Sequence, residues 1–171
     1  MFRGTYTALV TPFRNNEIDV AAIEQLIERQ IAGGITGIVA IGTTGESPTL
    51  SYTEREQAIE LMVGIANRRC QVLAGTGSNS TRDTIVATKA AEKLGVDGAL
   101  VVAPYYNKPS QEGLFRHFQA IAQASSLPIV LYNIPGRCAV DITAEIDGVC
   151  DNLCPTARKS LILNTERWPS G

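Results

Sequence analysis

The stretch G-A-L-V-V-A-P-Y-Y-N-K-P, residues 98 to 109, decides the architecture. Its first part, 98 to 104, is apolar without polar alternation, the pattern of a strand buried on both faces in a parallel sheet. Its second part turns at once into tyrosines, an Asn and a Lys between prolines, so polar chemistry begins where the strand stops.

The same transition recurs along the chain. Further strand candidates are T-Y-T-A-L-V-T-P-F (5 to 13), G-I-V-A-I-G (37 to 42), Q-V-L-A-G-T-G (71 to 77) and P-I-V-L-Y-N-I-P (128 to 135). Between them, Val20, Ile23, Ile27 and Ile31 fall at helical spacing, as do Ile59, Met62 and Ala66, then Leu114, Phe118 and Ala122. Asp19 can cap the first helix, Ser51 with Glu54 and Ser80 with Asp83 read as capping boxes, and Gly33-Gly34 and Gly95 close helices. A strand and helix thus repeat roughly every 30 residues, the size of a βα unit. Five units are visible, which fits a doubly wound sheet or the first part of an eight-stranded barrel. In both, function gathers at the carboxyl ends of the strands.

A chain of 171 residues with 44% hydrophobic and 19% charged residues fits one globular domain. The formal net charge is -2 with no run of like charge, so the basic footprint of a nucleic-acid or anionic-membrane binder is missing, and a small neutral or anionic ligand is expected. M-F-R-G-T-Y does not read as a signal peptide and no apolar stretch approaches the about 18 residues of a membrane span, so a soluble, cytoplasmic protein with no membrane partner is expected. Cys70 and Cys138 are isolated, and Cys150 and Cys154 have no further pair; reduced structural thiols and no metal are expected. The one histidine, His117, lies between Phe115 and Phe118 and reads as a packed or half-exposed helix residue.

At the strand ends, G-T-T-G-E-S (42 to 47) offers hydroxyls and glycine-freed amides that either hold a carboxylate or simply shape a turn. G-T-G-S-N-S (75 to 80) is half of a dinucleotide fingerprint without its third glycine. P-Y-Y-N-K-P (104 to 109) and L-Y-N-I-P-G-R (131 to 137) supply tyrosines that relay protons or pack at the rim, and Arg137, suited to gripping a carboxylate. There is no Ser-His-Asp set and no pair of carboxylates at strand ends, so an enzyme of carbonyl compounds would need a lysine amine on a later strand.

G-T-T-G-E-S, P-Y-Y-N-K-P-S-Q-E-G-L and L-Y-N-I-P-G-R together resemble the dihydrodipicolinate synthase (4-hydroxy-tetrahydrodipicolinate synthase) family over residues 1 to about 145. Related pyruvate aldolases such as N-acetylneuraminate lyase share the glycine-rich loop but differ at the double tyrosine and the Pro-Gly-Arg. The resemblance implies a TIM (β/α)8 barrel, of which about the first five βα units are present. It implies a lyase of diaminopimelate and lysine biosynthesis that needs no cofactor. There pyruvate forms a Schiff base with a strand-six lysine, becomes an enamine and attacks the aldehyde of L-aspartate 4-semialdehyde. By the same resemblance Thr43, Tyr106 and Tyr132 form the proton relay, with Tyr106 reaching the neighbouring subunit's site. Thr44 holds the pyruvate carboxylate and Arg137 that of the semialdehyde. A lysine feedback site would include Ser47, Tyr52, Asn79, Asp83 and Tyr105, and the assembly would be a homotetramer of tight dimers.

After D-I-T-A-E the resemblance stops, so residues 1–145 are expected to form the N-terminal part of the barrel and 146–171 a divergent tail, as truncation with a frameshift would produce. The family continues toward G-I-K-E-A, whose lysine forms the imine. Lys159 falls about one place from that position. Its apolar residues follow it instead of preceding it, Pro155 opposes a central strand, and Gly148 weakens the helix before it. Lys159 is therefore read as a solvated charge and the Schiff-base lysine is left unassigned. The alternative functions are a non-catalytic fragment that binds small carboxylates or pairs with a complete homologue, and a flavodoxin-like binding module.

Overall fold

A computed structural model of the chain describes residues 2–143 and the backbone of 162–164. Contacts divide it into two compact units, one of residues 2–75 with 90–98, the other of 76–89 with the chain from 99 onward.

In the first unit, β1 (Tyr6–Ala8) leads through β2 (Phe13–Arg14) and β3 (Glu17–Ile18) into α1 (Val20–Ala32), followed by β4 (Gly37–Ala40), α2 (Tyr52–Ala66) and β5 (Gln71–Gly75). β1 pairs with β4 and β4 with β5, all parallel, with Thr7 opposite Ile38 and Ile38 opposite Val72. Every residue of β4 is buried, as its unbroken apolarity requires. Ile23 and Ile27 of α1 and Met62 of α2 have no exposed surface, each burial stabilising by roughly 2 kcal/mol.

Two expectations are corrected here. The strand anticipated over 5–13 is split. After Ala8 only the Leu9 N–H continues the ladder, to Val39 O at 3.1 Å. Pro12 has no N–H to pair, and Asn15 and Asn16, both at positive φ (53° and 65°), fold 13–18 into an antiparallel hairpin with Phe13 opposite Ile18. Val20, assigned to the apolar face of α1, is 45% exposed because it is the first helical residue, ahead of the turn that packs.

The capping signals mostly hold. The Asp19 side chain accepts from the Ala22 N–H, and Ser51 with Glu54 forms a complete capping box. Gly34 and Gly95 take positive φ (78° and 81°) beyond their helices. Ser80 forms only half a box: its Oγ accepts from the Asp83 N–H at 3.2 Å, while its own N–H is taken by Ser78 Oγ at 3.0 Å instead of the Asp83 carboxylate.

In the second unit, α3 (Thr81–Lys93) begins, followed by β6 (Gly98–Val102), α4 (Gln111–Ala124), β7 (Ile129–Asn133) and the four-residue α5 (Pro135–Cys138). β6 and β7 run parallel, with Leu100 opposite Val130. The strand expected over 128–135 stops at Asn133, because Pro135 opens α5 at the position where its missing N–H costs nothing. The sequence reading placed no strand in the tail; the backbone of β8 (Ile162–Asn164) pairs in parallel with β7. Cys70 and Cys138 are both buried, and Cys150, Cys154 and Lys159 lie outside the described residues. Among the described residues no helix is long and apolar enough to cross a membrane, and no group of three or more His, Cys, Asp or Glu is placed to hold a metal ion.

His117 is buried in α4, with Nδ1 2.8 Å from Thr81 Oγ1 and its ring edge-on to Phe118 at 5.1 Å. Nε2 is buried without a partner among the described residues, and burial pushes the imidazole pKa down from 6.5 to about 4. Since the unfolded chain then binds this proton more tightly, His117 leaves stability intact above pH 6.5 and removes it as pH falls toward 4, by about 3 kcal/mol. Urea titrations at pH 7 and pH 4.5 should show this loss in the parent chain and a smaller one in His117→Gln. Removing the α2 cap with Ser51→Ala should lower the urea midpoint at both pH values, at a cost of about 1 kcal/mol.

Candidate active site

The residues singled out in the sequence divide between the two units. In the first, Ile41 follows β4 at φ 46° and the chain enters the turn 42–47. The turn is tied by Gly45 N–H to Gly42 O and by Glu46 N–H to Thr43 O, both at 3.1 Å, and anchored where Thr11 Oγ1 donates to Gly45 O at 2.9 Å. A side chain at Gly45 would meet the Ile41 Cα at 3.0 Å, Thr11 Oγ1 at 3.1 Å and Leu9 O at 3.2 Å, so any larger residue here would press its neighbours apart. Thr43 and Thr44 are exposed, and neither hydroxyl has a hydrogen-bond partner among the described residues. They are adjacent hydroxyls, each able to donate a hydrogen bond.

A cavity of about 280 Å³ opens beside this turn, walled by Thr11, Phe13, Asn16, Gly45, Glu46, Thr49, Leu50 and Glu54. Thr43 and Thr44 are not among its walls. Its two glutamates disfavour a carboxylate there, so the anion-binding reading rests on the two threonines and not on the cavity. Ser47 opens a single 3-10 turn and Tyr52 the first turn of α2, where its ring is 59% exposed with the Arg55 guanidinium 5.4 Å from its centroid.

In the second unit the Ala103 N–H donates to Tyr132 O at 3.0 Å, so the loop 104–109 leaves β6 beside Tyr132. Tyr105 and Tyr132 are half-buried, whereas Tyr106 is 86% exposed. Asn79 and this loop are joined, since Asn107 Nδ2 donates to Asn79 O at 2.8 Å. Asp83 lies in the first turn of α3. Arg137, expected at a strand end, sits exposed one turn beyond it in α5.

Sequence reasoning missed Asn133. This last residue of β7 is 1% exposed, and its amide donates to Asp141 Oδ1 at 2.6 Å while its carbonyl oxygen accepts from the Ile142 N–H at 3.1 Å. Gln111 adds a second tie, donating to Asp141 O at 2.7 Å and accepting from the Thr143 N–H at 3.2 Å. The segment carrying Arg137 is thus fastened at both ends. The available signal was an amide closing an otherwise apolar strand, which burial obliges to find partners.

A model of the dihydrodipicolinate synthetase family matches residues 1–149. The chain belongs to that family. A 4-hydroxy-tetrahydrodipicolinate synthase from Geotalea daltonii is 54% identical over 145 residues, covering 85% of this chain and 50% of that protein. The solved 4-hydroxy-tetrahydrodipicolinate synthase of Methylacidiphilum fumariolicum SolV is 52% identical with a TM-score of 0.94, covering 98% of this chain and 55% of that one. The chloride-inhibited dihydrodipicolinate synthase of Acinetobacter baumannii, solved with pyruvate, is 45% identical with a TM-score of 0.87, covering 95% and 55%. The chain spans about half the length of the curated relatives it matches. Its fold class is that of these TIM barrels, with the first five βα units present, which decides against the doubly wound alternative.

Asn133→Ala should cost about 2–3 kcal/mol in urea unfolding, because the Ile142 N–H loses its buried acceptor. Asn133→Asp places a carboxylate against Asp141, and its cost should be larger at pH 7 than at pH 4.

Proposed function

We propose that the chain provides the strand-end machinery of a 4-hydroxy-tetrahydrodipicolinate synthase, a cytoplasmic lyase that condenses pyruvate with L-aspartate 4-semialdehyde. The observation that carries this is the joint occurrence, on one fold, of the adjacent free hydroxyls of Thr43 and Thr44, the tyrosines at the ends of β6 and β7, and Arg137. The pyruvate found in the Acinetobacter baumannii relative supports the choice of keto acid.

In this reading Thr44 donates to the pyruvate carboxylate, and Thr43, Tyr106 and Tyr132 pass the protons that imine formation and hydrolysis require. Arg137, exposed and fastened through the Asn133 and Gln111 ties behind it, takes the semialdehyde carboxylate through its two-pronged guanidinium. Tyr106 serves the site of a second subunit in a homotetramer, which accords with a ring left 86% exposed within one chain. Ser47, Tyr52, Asn79, Asp83 and Tyr105 form the lysine feedback site. The imine lysine is unassigned.

The test is thermal unfolding with and without pyruvate, joined to intact-mass analysis after pyruvate and borohydride. The expected result is a pyruvate-dependent rise in Tm that Thr44→Val abolishes, with no adduct at Lys159. A Tm indifferent to pyruvate together with an unshifted mass would remove the synthase reading; a reduced pyruvyl adduct at Lys159 would instead overturn the assignment of that lysine.

A further inference from the structure

The loop 104–109 holds Tyr106 in a conformation that nothing about its own side chain explains. Tyr106 has φ 72°, and the Asn107 N–H donates to Tyr105 O at 2.8 Å across it. A hydrogen bond spanning two residues around a positive φ is the rare, strained form of γ-turn, and an aromatic side chain is among the poorest occupants of it. Lys108 adds to the strain with φ 47°, directly before Pro109, where the chain favours extended backbone. Burial does not hold the loop, because Tyr106, Asn107 and Lys108 are all exposed.

A strained backbone persists only where its surroundings fix it. Among the described residues, the one side chain of the loop that makes a hydrogen bond is Asn107. Its Nδ2 donates to Asn79 O at 2.8 Å, and its Oδ1 lies 3.5 Å from Asn79 Nδ2. Asn79 in turn precedes Ser80, whose Oγ and carbonyl receive the Asp83 and Thr84 N–H groups at the start of α3, so the anchor is a helix start and not another loose loop.

We propose that Asn107 is the positioning residue for Tyr106: its amide clamps the loop to the Asn79 carbonyl and holds the γ-turn that presents the phenol to solvent. This rests on the reading of Tyr106 as a member of the proton relay, and it deepens that reading by giving the relay a preorganising residue. A backbone already held in its working conformation loses less freedom when the target of the phenol arrives.

The experiment is NMR of the isotope-labelled chain, reading the intraresidue HN–Hα NOE of Tyr106, which is strong at positive φ and weak at negative φ. The NOE should be strong in the parent and in Asn79→Ala, which keeps the backbone carbonyl. In Asn107→Ala and in the near-isosteric Asn107→Asp it should weaken several-fold, with amides outside the loop unmoved. An NOE that stays strong in both Asn107 variants, or that is weak in the parent, overturns the proposal. So does unfolding of both Asn107 variants beside a folded Asn79→Ala, which would make Asn107 a general stabiliser. Failure to bind pyruvate would count against the synthase reading and leave this comparison intact.

Discussion

The fold depends on the backbone hydrogen bonds of strands that have no polar face. A run such as Gly37–Ala40 or Gly98–Val102 cannot turn either side to water, so its N–H and C=O groups must be met sideways by another strand. Parallel pairing at a fixed register meets that demand and forces every connection to cross back over the sheet as a helix. The carboxyl ends of the strands then share one side of the sheet in each unit. The loops that leave these ends are where polar groups from successive strands can gather.

Those loops are built by opposite means. The turn 42–47 is determined by close approach, with Gly45 pressed against Ile41 and pinned by Thr11, and the threonines beside it stay free for a ligand. The loop 104–109 is held through a side-chain amide against backbone preference, and α5 through a buried asparagine behind it. In each case a polar group that does no chemistry fixes one that the proposed reaction uses. The two threonines lie outside the 280 Å³ cavity next to them, so the reading of them as anion donors does not draw on that cavity.

Much of this was legible in residue patterns. Capping at Asp19 and Ser51 and the glycines beyond helices are local events, decided within a few residues, and the text carries them fully. Errors came where two nearby groups competed for one partner or a turn broke an apolar run. Ser80 donates to Ser78 and not to Asp83 because the preceding turn brings that hydroxyl closer, and the run 5–13 breaks because two asparagines adopt positive φ. The Asn-Asn pair between Phe13-Arg14 and Glu17-Ile18 was a readable hairpin signal. Arg137 lies a turn past its expected place because proline starts helices as readily as it ends strands.

The sequence by itself determined the βα repeat, the parallel strands and the residue types at their ends, because hydrophobic period and turn chemistry are properties of short segments. Its three motifs also determined the family, which the 54% identity to a curated synthase bears out. Only the tertiary structure decided the rest: that Asn133 is buried and fastens the segment beyond Arg137, that Tyr106 stands in a strained turn, and that Asn107 reaches Asn79, 28 residues away. The physical reason is common to all three. A side-chain amide can bond wherever the fold carries it, and only the fold fixes the 2.8 Å that makes one partner win.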